Sequence, residues 1–268
     1  MKDLPVSLTI GGSDSGSGAG IQADLKTFTM LETFGTTALT CLTAQNPDSV
    51  SAIEAVSDSF LKAQLDSIFN YFPVVSAKTG MLFSKSLIEV VTKFFSNHKS
   101  VQLVVDPVMV ATSGAKLLQD EAIEVLVNKL IPLAYIITPN LDEASLLLGR
   151  EIKEVDELER SVKELFDKFK VPVLLKGGHI QMATSAIDIL YDGHSIYRYE
   201  KPYINNRNTH GSGCTFSAAI SAFLARGISL PSAVGNAKEY IHRTFEDPIQ
   251  AGPNNHMNHK IPTNDLLN

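Results

Sequence analysis

Cysteine is scarce in this chain: two residues in 268, Cys41 and Cys214, and no Cys-x-x-Cys pair. That argues against a disulfide framework or a structural zinc site. Excess positive charge is also lacking. Lys and Arg number 23 against 29 Asp and Glu, a formal net charge of -6. Nucleic-acid binders are usually basic, so a polyanionic partner is disfavoured. No run of about 18 or more predominantly apolar residues occurs, and no membrane span is expected. Met1-Lys2-Asp3-Leu4-Pro5 has no signal-peptide pattern, and the apolar run after it breaks at Gly11. Internal repeats, low-complexity tracts and linkers are absent as well. The expectation is one cytoplasmic domain over residues 1–268, with 44% hydrophobic residues to build its core.

What is present is an alternation of short β-branched runs with longer helical patterns. Strands are predicted at residues 6–10, 38–43, 74–77, 103–105, 135–138 and 173–175. Helices are predicted at 21–34, 58–72, 84–95, 120–130, 141–148 and 155–169. This order predicts an α/β fold, a mostly parallel central sheet with helices on both faces. Residues 187–190 and 195–199 flank Asp192-Gly193, a hairpin signal, which predicts an antiparallel strand pair added to that sheet. Two last helices are expected at 215–226 and 232–245. In such sheets ligands sit beyond the carboxyl ends of the strands. Polar clusters at 11–20, 43–46, 78–81, 106–109, 138–143 and 176–179 all fall there.

Gly211-Ser212-Gly213-Cys214-Thr215 is the most telling of the motifs. Phe216, Ala219, Ile220, Phe223 and Leu224 follow it at helical spacing, and Gly227 stands where a C-cap would fall. A glycine turn thus feeds a helix N-terminus, where free N–H groups and the helix dipole favour an anion. Cys214 lies in the first turn, a position that lowers a thiol pKa. The alternative is a glycine pair that only packs ahead of a core helix. Gly11 to Gly20 is a second glycine-rich loop, neither a P-loop nor a strict Gly-x-Gly-x-x-Gly fingerprint. Asp106 ends an apolar strand, where a carboxylate suits Mg²⁺. Asn140 and Glu143 share a helix face, and their spacing alone favours a capping box. Lys176, ahead of Gly177-Gly178-His179, can neutralise a phosphate or face solvent. His179, His194 and His210 show no metal-ligand spacing. Together these parts suit phosphoryl transfer, which needs positioning and charge neutralisation more than covalent chemistry. Cys214 would accept a proton from a substrate hydroxyl or only position that hydroxyl.

The segment from Gly12-Ser13-Asp14 to Gly18-Ala19-Gly20-Ile21-Gln22-Ala23-Asp24-Leu25-Lys26 resembles the start of the hydroxymethylpyrimidine/phosphomethylpyrimidine kinases, members of the ribokinase-like superfamily. The resemblance continues, in order, through Thr43-Ala44-Gln45-Asn46, Lys78-Thr79-Gly80-Met81, Asp106-Pro107-Val108-Met109, Thr138-Pro139-Asn140, Lys176-Gly177-Gly178-His179 and Thr209-His210-Gly211-Ser212-Gly213-Cys214-Thr215. It implies a ribokinase-like three-layer α/β/α fold and ATP-dependent phosphorylation of the pyrimidine hydroxymethyl group, then of the monophosphate, for thiamine synthesis. It implies that Gln45 hydrogen-bonds the pyrimidine and that Gly12, Asp24, Met81 and Val108 help line its pocket. Gly211, Ser212, Gly213 and Cys214 would form the anion hole, with Cys214 in place of the aspartate base common in the superfamily. Lys176 would meet the ATP phosphates with Ser212 and Asn140, and Asp106 with the Asn140/Glu143 pair would organise Mg²⁺. A homodimer is the superfamily habit.

Three departures stand out. Ser212 replaces the usual threonine and keeps the hydroxyl. Ala111-Thr112-Ser113-Gly114 lacks a basic residue often found there, and Ala251-Gly252-Pro253-Asn254-Asn255-His256 matches the C-terminal glycine motif only loosely. The competing readings are a pyridoxal or pyridoxine kinase, whose substrate is also a flat heteroaromatic alcohol, and a non-catalytic ligand-binding protein on the same fold.

Overall fold

The structure is a computed structural model that describes residues 3–109, 118–178, 185–204 and 208–267. The 111–114 stretch and His179 lie outside the described residues. The chain runs β1 (Val6–Asp14), α1 (Gly20–Met30), β2 (Phe34–Asn46), β3 (Ser49–Ala55), α2 (Asp58–Phe69), β4 (Val74–Thr79), α3 (Lys85–Ser96), β5 (Gln102–Val105) and α4 (Asp120–Val125). It continues through β6 (Ile136–Ile137), α5 (Leu141–Leu148), α6 (Leu158–Phe169), β7 (Val173–Lys176), β8 (Ser185–Tyr191), β9 (Ile196–Pro202), α7 (Ser212–Ala225) and α8 (Leu230–Glu246), and a small pair, β10 (Ile249–Ala251) and β11 (Asn254–His256).

Nine strands form one sheet in the order β3-β2-β1-β4-β5-β6-β7-β8-β9. From β2 to β7 neighbours are parallel; β3, β8 and β9 each join antiparallel. Strands β5, β6 and β7 are buried on both faces, which is why Leu103-Val104-Val105, Ile136-Ile137 and Val173-Leu174-Leu175 read as unbroken apolar runs. Successive side chains point to opposite faces. Leu103 and Val105 accordingly enter the core under α2, α3 and α6, while Val104 enters the core under α1, α7 and α8. Ile136 and Ile137 divide in the same way. Helix starts follow local chemistry: Ser57 and Ser84 accept from the amides of Phe60 and Leu87, three residues on.

The sequence reading and the structure part at several places. The helix expected over 21–34 stops at Met30; Glu32 takes a positive φ of 56° and Phe34 already opens β2. The helix expected over 120–130 is α-helical only to Val125, then a π turn, then a 3₁₀ turn over Ile131–Leu133. Pro132 has no N–H to continue the α ladder. The hairpin at Asp192-Gly193 forms as expected: Asp192 Oδ1 accepts from the amides of His194 and Ser195, and Gly193 takes φ 97°. Strand β3 was not anticipated, and every one of its residues is exposed.

The C-terminal segment returns under α7 and α8. His259, 8% exposed, sets Nε2 3.0 Å from Thr215 Oγ1, and its carbonyl accepts from Tyr240 Oη. Burial, with Lys26 a lesser cause, pushes its imidazole down from 6.5 to about 4. Between those values the unfolded chain binds a proton that the folded chain does not. Stability from this group is therefore full above about pH 6.5 and falls as pH drops toward about 4, by up to about 3 kcal/mol. Tm measured across that window should slope downward with acid, and His259→Gln should flatten the slope. An equal slope in both proteins would place its origin elsewhere.

Candidate active site

The parallel strands deliver their C-terminal ends to one rim, and a cavity of about 580 Å³ opens there. Every site residue predicted from the sequence lines it. Gly12 and Asp24 come from β1 and α1, Gln45 from β2, and Met81 and Val108 from the segments after β4 and β5. Asp106 follows β5, Asn140 and Glu143 start α5, Lys176 ends β7, and Gly211, Ser212, Gly213 and Cys214 open α7. A smaller cavity of about 150 Å³ shares Asn140, Lys176, Ser212 and Gly213 and runs on toward Phe216, Ile241 and His242. Val50 and Ile53 of β3 form a wall of the larger cavity that sequence reasoning missed.

Gly211 is the N-cap of α7, at φ 81° and ψ 0°, and no side chain caps it. A Cβ there would stand 1.9 Å from the Gly18 carbonyl oxygen, so the two glycine-rich loops interlock backbone to backbone. The Ser212 amide is taken by Thr209 O at 3.0 Å and the Thr215 amide by Gly211 O. The amides of Gly213 and Cys214 are left as the orphan donors of the first turn. A Cβ on Gly213 would stand 3.5 Å from Lys176 Nζ and 3.7 Å from Asp106 Oδ2, which places the ammonium and the carboxylate beside those donors.

Lys176 Nζ donates to Asp106 Oδ1 at 2.8 Å, and Thr138 Oγ1 donates to the same oxygen. Ser217 Oγ reaches Asp106 Oδ2 at 3.3 Å. Asn140 and Glu143 form a capping box: Asn140 N donates to Glu143 Oε2 at 2.8 Å, and Glu143 N to Asn140 Oδ1 at 2.9 Å. The cap predicted from spacing is therefore real. Burial pushes the Glu143 carboxyl up to about 8; Lys176 opposes the shift and the Asp106 charge adds to it. Among the described residues no cluster of three or more His, Cys, Asp or Glu forms a ready-made metal cage.

Cys214 is half-buried, and its electrostatics correct the sequence reading. Burial pushes the thiol up, above its ordinary value. Lys78 and the Gly20 amide pull it down, but Asp24 and Asp106 work against them. The helix N-terminus alone does not yield a thiolate here. Cys41 is buried and unpaired, so no disulfide links the two.

Lys78 is the residue the sequence reading overlooked most. It is the penultimate residue of β4, 1% exposed, and donates to both oxygens of Asp24 at 2.9 and 2.8 Å; Asp24 also accepts from Thr9 Oγ1 at 2.6 Å. Burial opposes the Lys78 charge, yet Asp24, Cys214 and Asp106 outweigh it and raise its proton affinity. Burial also pushes the Asp24 carboxyl up, against the pull of Lys78 and Thr9, but three donors on its two oxygens hold the pair ionic and fix Asp24 as floor of the cavity. A lysine in the otherwise apolar run Val74-Val75-Ser76-Ala77-Lys78 was the available signal, since a buried charge demands a partner. Asp14 was also missed. Its carboxylate accepts from the amides of Gly16, Gly18 and Ala19 and contacts His210 Nε2 at 3.0 Å, which ties down the first glycine loop.

The Gly213 and Cys214 amides and the Lys176 ammonium thus gather at one place in a cavity that Gln45, Met81 and Val108 line without charge. A site so divided hands an anionic group to a small neutral acceptor, the work of a small-molecule kinase. Residues 14–259 match the family model described as phosphomethylpyrimidine kinase, and the chain belongs to that family. Its fold is the ribokinase-like three-layer α/β/α arrangement. The chain is 44% identical over 250 residues to the hydroxymethylpyrimidine/phosphomethylpyrimidine kinase of Rhizobium meliloti (strain 1021), covering 92% of this chain and 93% of that one. It is 45% identical over 254 residues to the thiamine biosynthesis bifunctional protein ThiED of Geobacter sulfurreducens, covering 93% of this chain but only 52% of that protein. It therefore spans about half the length of this bifunctional relative. The structure of Bacillus subtilis pyridoxal kinase in complex with ADP superposes with a TM-score of 0.87 at 36% identity, covering 96% of this chain and 98% of that one.

Proposed function

We propose that this protein transfers the terminal phosphoryl group of ATP to the hydroxymethyl group of 4-amino-5-hydroxymethyl-2-methylpyrimidine, and then phosphorylates the monophosphate. The diphosphate would serve thiamine synthesis. The observation that carries this reading is that every site residue carried over by motif, from Gly12 to Cys214, lines one cavity. We also read the 268 residues as one kinase domain, supported by a single sheet that takes strands from residue 6 to residue 202. A cytoplasmic setting fits two cysteines that both remain thiols.

In this reading Gln45 hydrogen-bonds the pyrimidine, and Gly12, Met81 and Val108 enclose it above the Asp24–Lys78 floor. The alcohol faces Cys214 Sγ, which takes its proton. The Gly213 and Cys214 amides receive the charge developing on the phosphoryl oxygens. Lys176 neutralises the ATP phosphates beside Asn140 and Ser212. Mg²⁺ fits the donor set: Asp106 and Glu143 are two buried carboxylates whose mutual repulsion a divalent cation relieves, and hard oxygen ligands suit it. Bound there, the ion would supply charge neutralisation to the triphosphate.

The relatives favour the pyrimidine over pyridoxal, since the chain is 44% identical to a hydroxymethylpyrimidine/phosphomethylpyrimidine kinase and 36% identical to the pyridoxal kinase. Steady-state assays with the pyrimidine alcohol, its monophosphate and pyridoxal on one preparation test the assignment through kcat/KM. A higher kcat/KM for pyridoxal than for both pyrimidines overturns it. Gln45→Leu should raise KM for the pyrimidine about tenfold or more by leaving a ring polar group unpaired, with KM for ATP unchanged. An unaltered pyrimidine KM removes Gln45 from recognition.

A further inference from the structure

Strand β2 carries one residue more than β1 beside the cavity. Gly11 pairs with Leu39 but Ser13 pairs with Leu42, so Gly12 alone faces both Thr40 and Cys41. Such bulges are rare between parallel strands, and next to a site they re-aim side chains. Here the bulge brings two successive residues to one neighbour, Met81. Thr40 Oγ1 donates to the Met81 carbonyl at 2.7 Å. Cys41 Sγ and Met81 Cε each stand 2.9 Å from the point that a Gly12 Cβ would occupy. Thr40 and Cys41 are fully buried and do not line the cavity, whereas Gly12 and Met81 do. The backbone at Met81 is pinned from two sides, its carbonyl by Thr40 and the Gly80 amide before it by the Ile10 carbonyl at 2.8 Å. What stays adaptable is the Met81 side chain, unbranched and with three rotatable bonds. Cys41, itself outside the cavity wall, backs the tip of that side chain.

We infer that Cys41 is a wedge behind Met81 that sets how broad a heteroaromatic alcohol the pocket accepts. The inference rests on the acceptor reading above, in which Gly12 and Met81 enclose the ring, and it deepens that reading. In a close-packed interior a change of one sulfur atom is felt by the side chain resting on it. With the sulfur gone, the Met81 tip has room to swing toward β2, and the pocket widens there. A bulkier side chain at residue 41 drives the tip the other way, into the pocket. Cys41 touches no reacting atom and acts through Met81, so it is a positioning residue. Pyridoxal is the alcohol such a wedge turns away. It presents the same hydroxymethyl group on a six-membered ring, but with a formyl group in place of the amino group and a hydroxyl where the pyrimidine ring ends in a bare nitrogen. Room in a pocket distinguishes ligands by about 10–200-fold for each methylene-sized group.

The test is steady-state kinetics with the pyrimidine alcohol and pyridoxal on the wild type, Cys41→Ala, Cys41→Val, Met81→Ala and the double variant Cys41→Ala with Met81→Ala. The quantity read is the ratio of kcat/KM for pyridoxal to kcat/KM for the pyrimidine. Both values come from one preparation, so partial unfolding of a variant does not move the ratio. Cys41→Ala should raise it about tenfold or more. Cys41→Val should raise KM for the pyrimidine itself, with KM for ATP unchanged. Met81→Ala should also raise the ratio, and adding Cys41→Ala to it should change the ratio by less than about twofold, because the side chain that the wedge acts on is gone. A ratio unchanged in Cys41→Ala, on a wild type that phosphorylates the pyrimidine, overturns the inference and leaves the acceptor assignment standing. A full tenfold rise on the Met81→Ala background also overturns it, since Cys41 then does not act through Met81. A wild type that phosphorylates neither alcohol overturns the acceptor assignment itself, and this inference with it.

Discussion

Replacing Cys214 by alanine should lower kcat by about 10²–10⁴-fold while ATP still binds. Cys214 carries two groups with separate roles, its amide and its sulfur. The Cys214 amide, an orphan donor at the start of α7, survives in alanine, so the anion-binding first turn stays intact. Only the sulfur is lost, and with it the group placed to receive the alcohol proton. Burial holds that thiol above its ordinary value, against the pull of Lys78. The catalytic form is the deprotonated one, so kcat/KM should climb with pH into the alkaline range. That limb should vanish in the alanine variant. Cys214→Ser distinguishes proton acceptance from positioning: serine can hold a hydroxyl in place but does not ionise in this range. Turnover retained in Cys214→Ser with the alkaline limb gone would assign the sulfur to positioning alone. Full turnover in Cys214→Ala would remove it from the chemistry.

Replacing Lys78 by methionine should destabilise the protein by about 3–5 kcal/mol, the cost of leaving one partner of a buried ion pair uncompensated. For a domain of this size that is a fall in Tm of roughly 10 °C. Asp24 is the stranded partner, 1% exposed, with Thr9 as its remaining side-chain donor. Lys78→Met with Asp24→Leu should recover most of the loss, because a packed apolar pair replaces a buried ionic one at little net cost. Thermal melts of both variants check this. A single variant as stable as the wild type would show that the pair contributes little. The single variant also removes the cation that pulls the Cys214 thiol down, so any remaining alkaline limb should move to higher pH.

The layers of the fold were legible in the sequence because strands such as β5 and β7 are buried on both faces. Leu103-Val104-Val105 and Val173-Leu174-Leu175 can be nothing but interior strand. The hairpin at Asp192-Gly193 was legible through its turn. Strand β3 was not, since a strand with every side chain in solvent has no apolar alternation to detect. Lys176 and Asp106 stood out because each closes an apolar run at the rim. Lys78 sits in an equivalent place but was read only as part of a motif; its partner is 54 residues away. The Cys214 expectation failed for a related reason. A helix N-terminus is visible in sequence, whereas the desolvation that outweighs it depends on what Asp24, Asp106 and α1 enclose in space. The grip of Asp14 on its own loop, through three amides within five residues, is local, and a closer reading of Asp14-Ser15-Gly16-Ser17-Gly18 would have found it.

An enzyme that acts twice on one molecule must readmit its first product as a reactant, larger by a phosphate. Where the chain gives way to that bulk is decided at Gly211, whose α-carbon rests on the Gly18 carbonyl with no room for so much as a methyl group. That side is a fixed jaw, because parting it would break the seat of α7. Strand β3, which lends Val50 and Ile53 to the same cavity, takes no side chain out of any core when it shifts. Tolerance for the bulkier guest is thus written into the cheapest strand of the sheet, and residues 49–55 are where relatives of different appetite can diverge without refolding anything else.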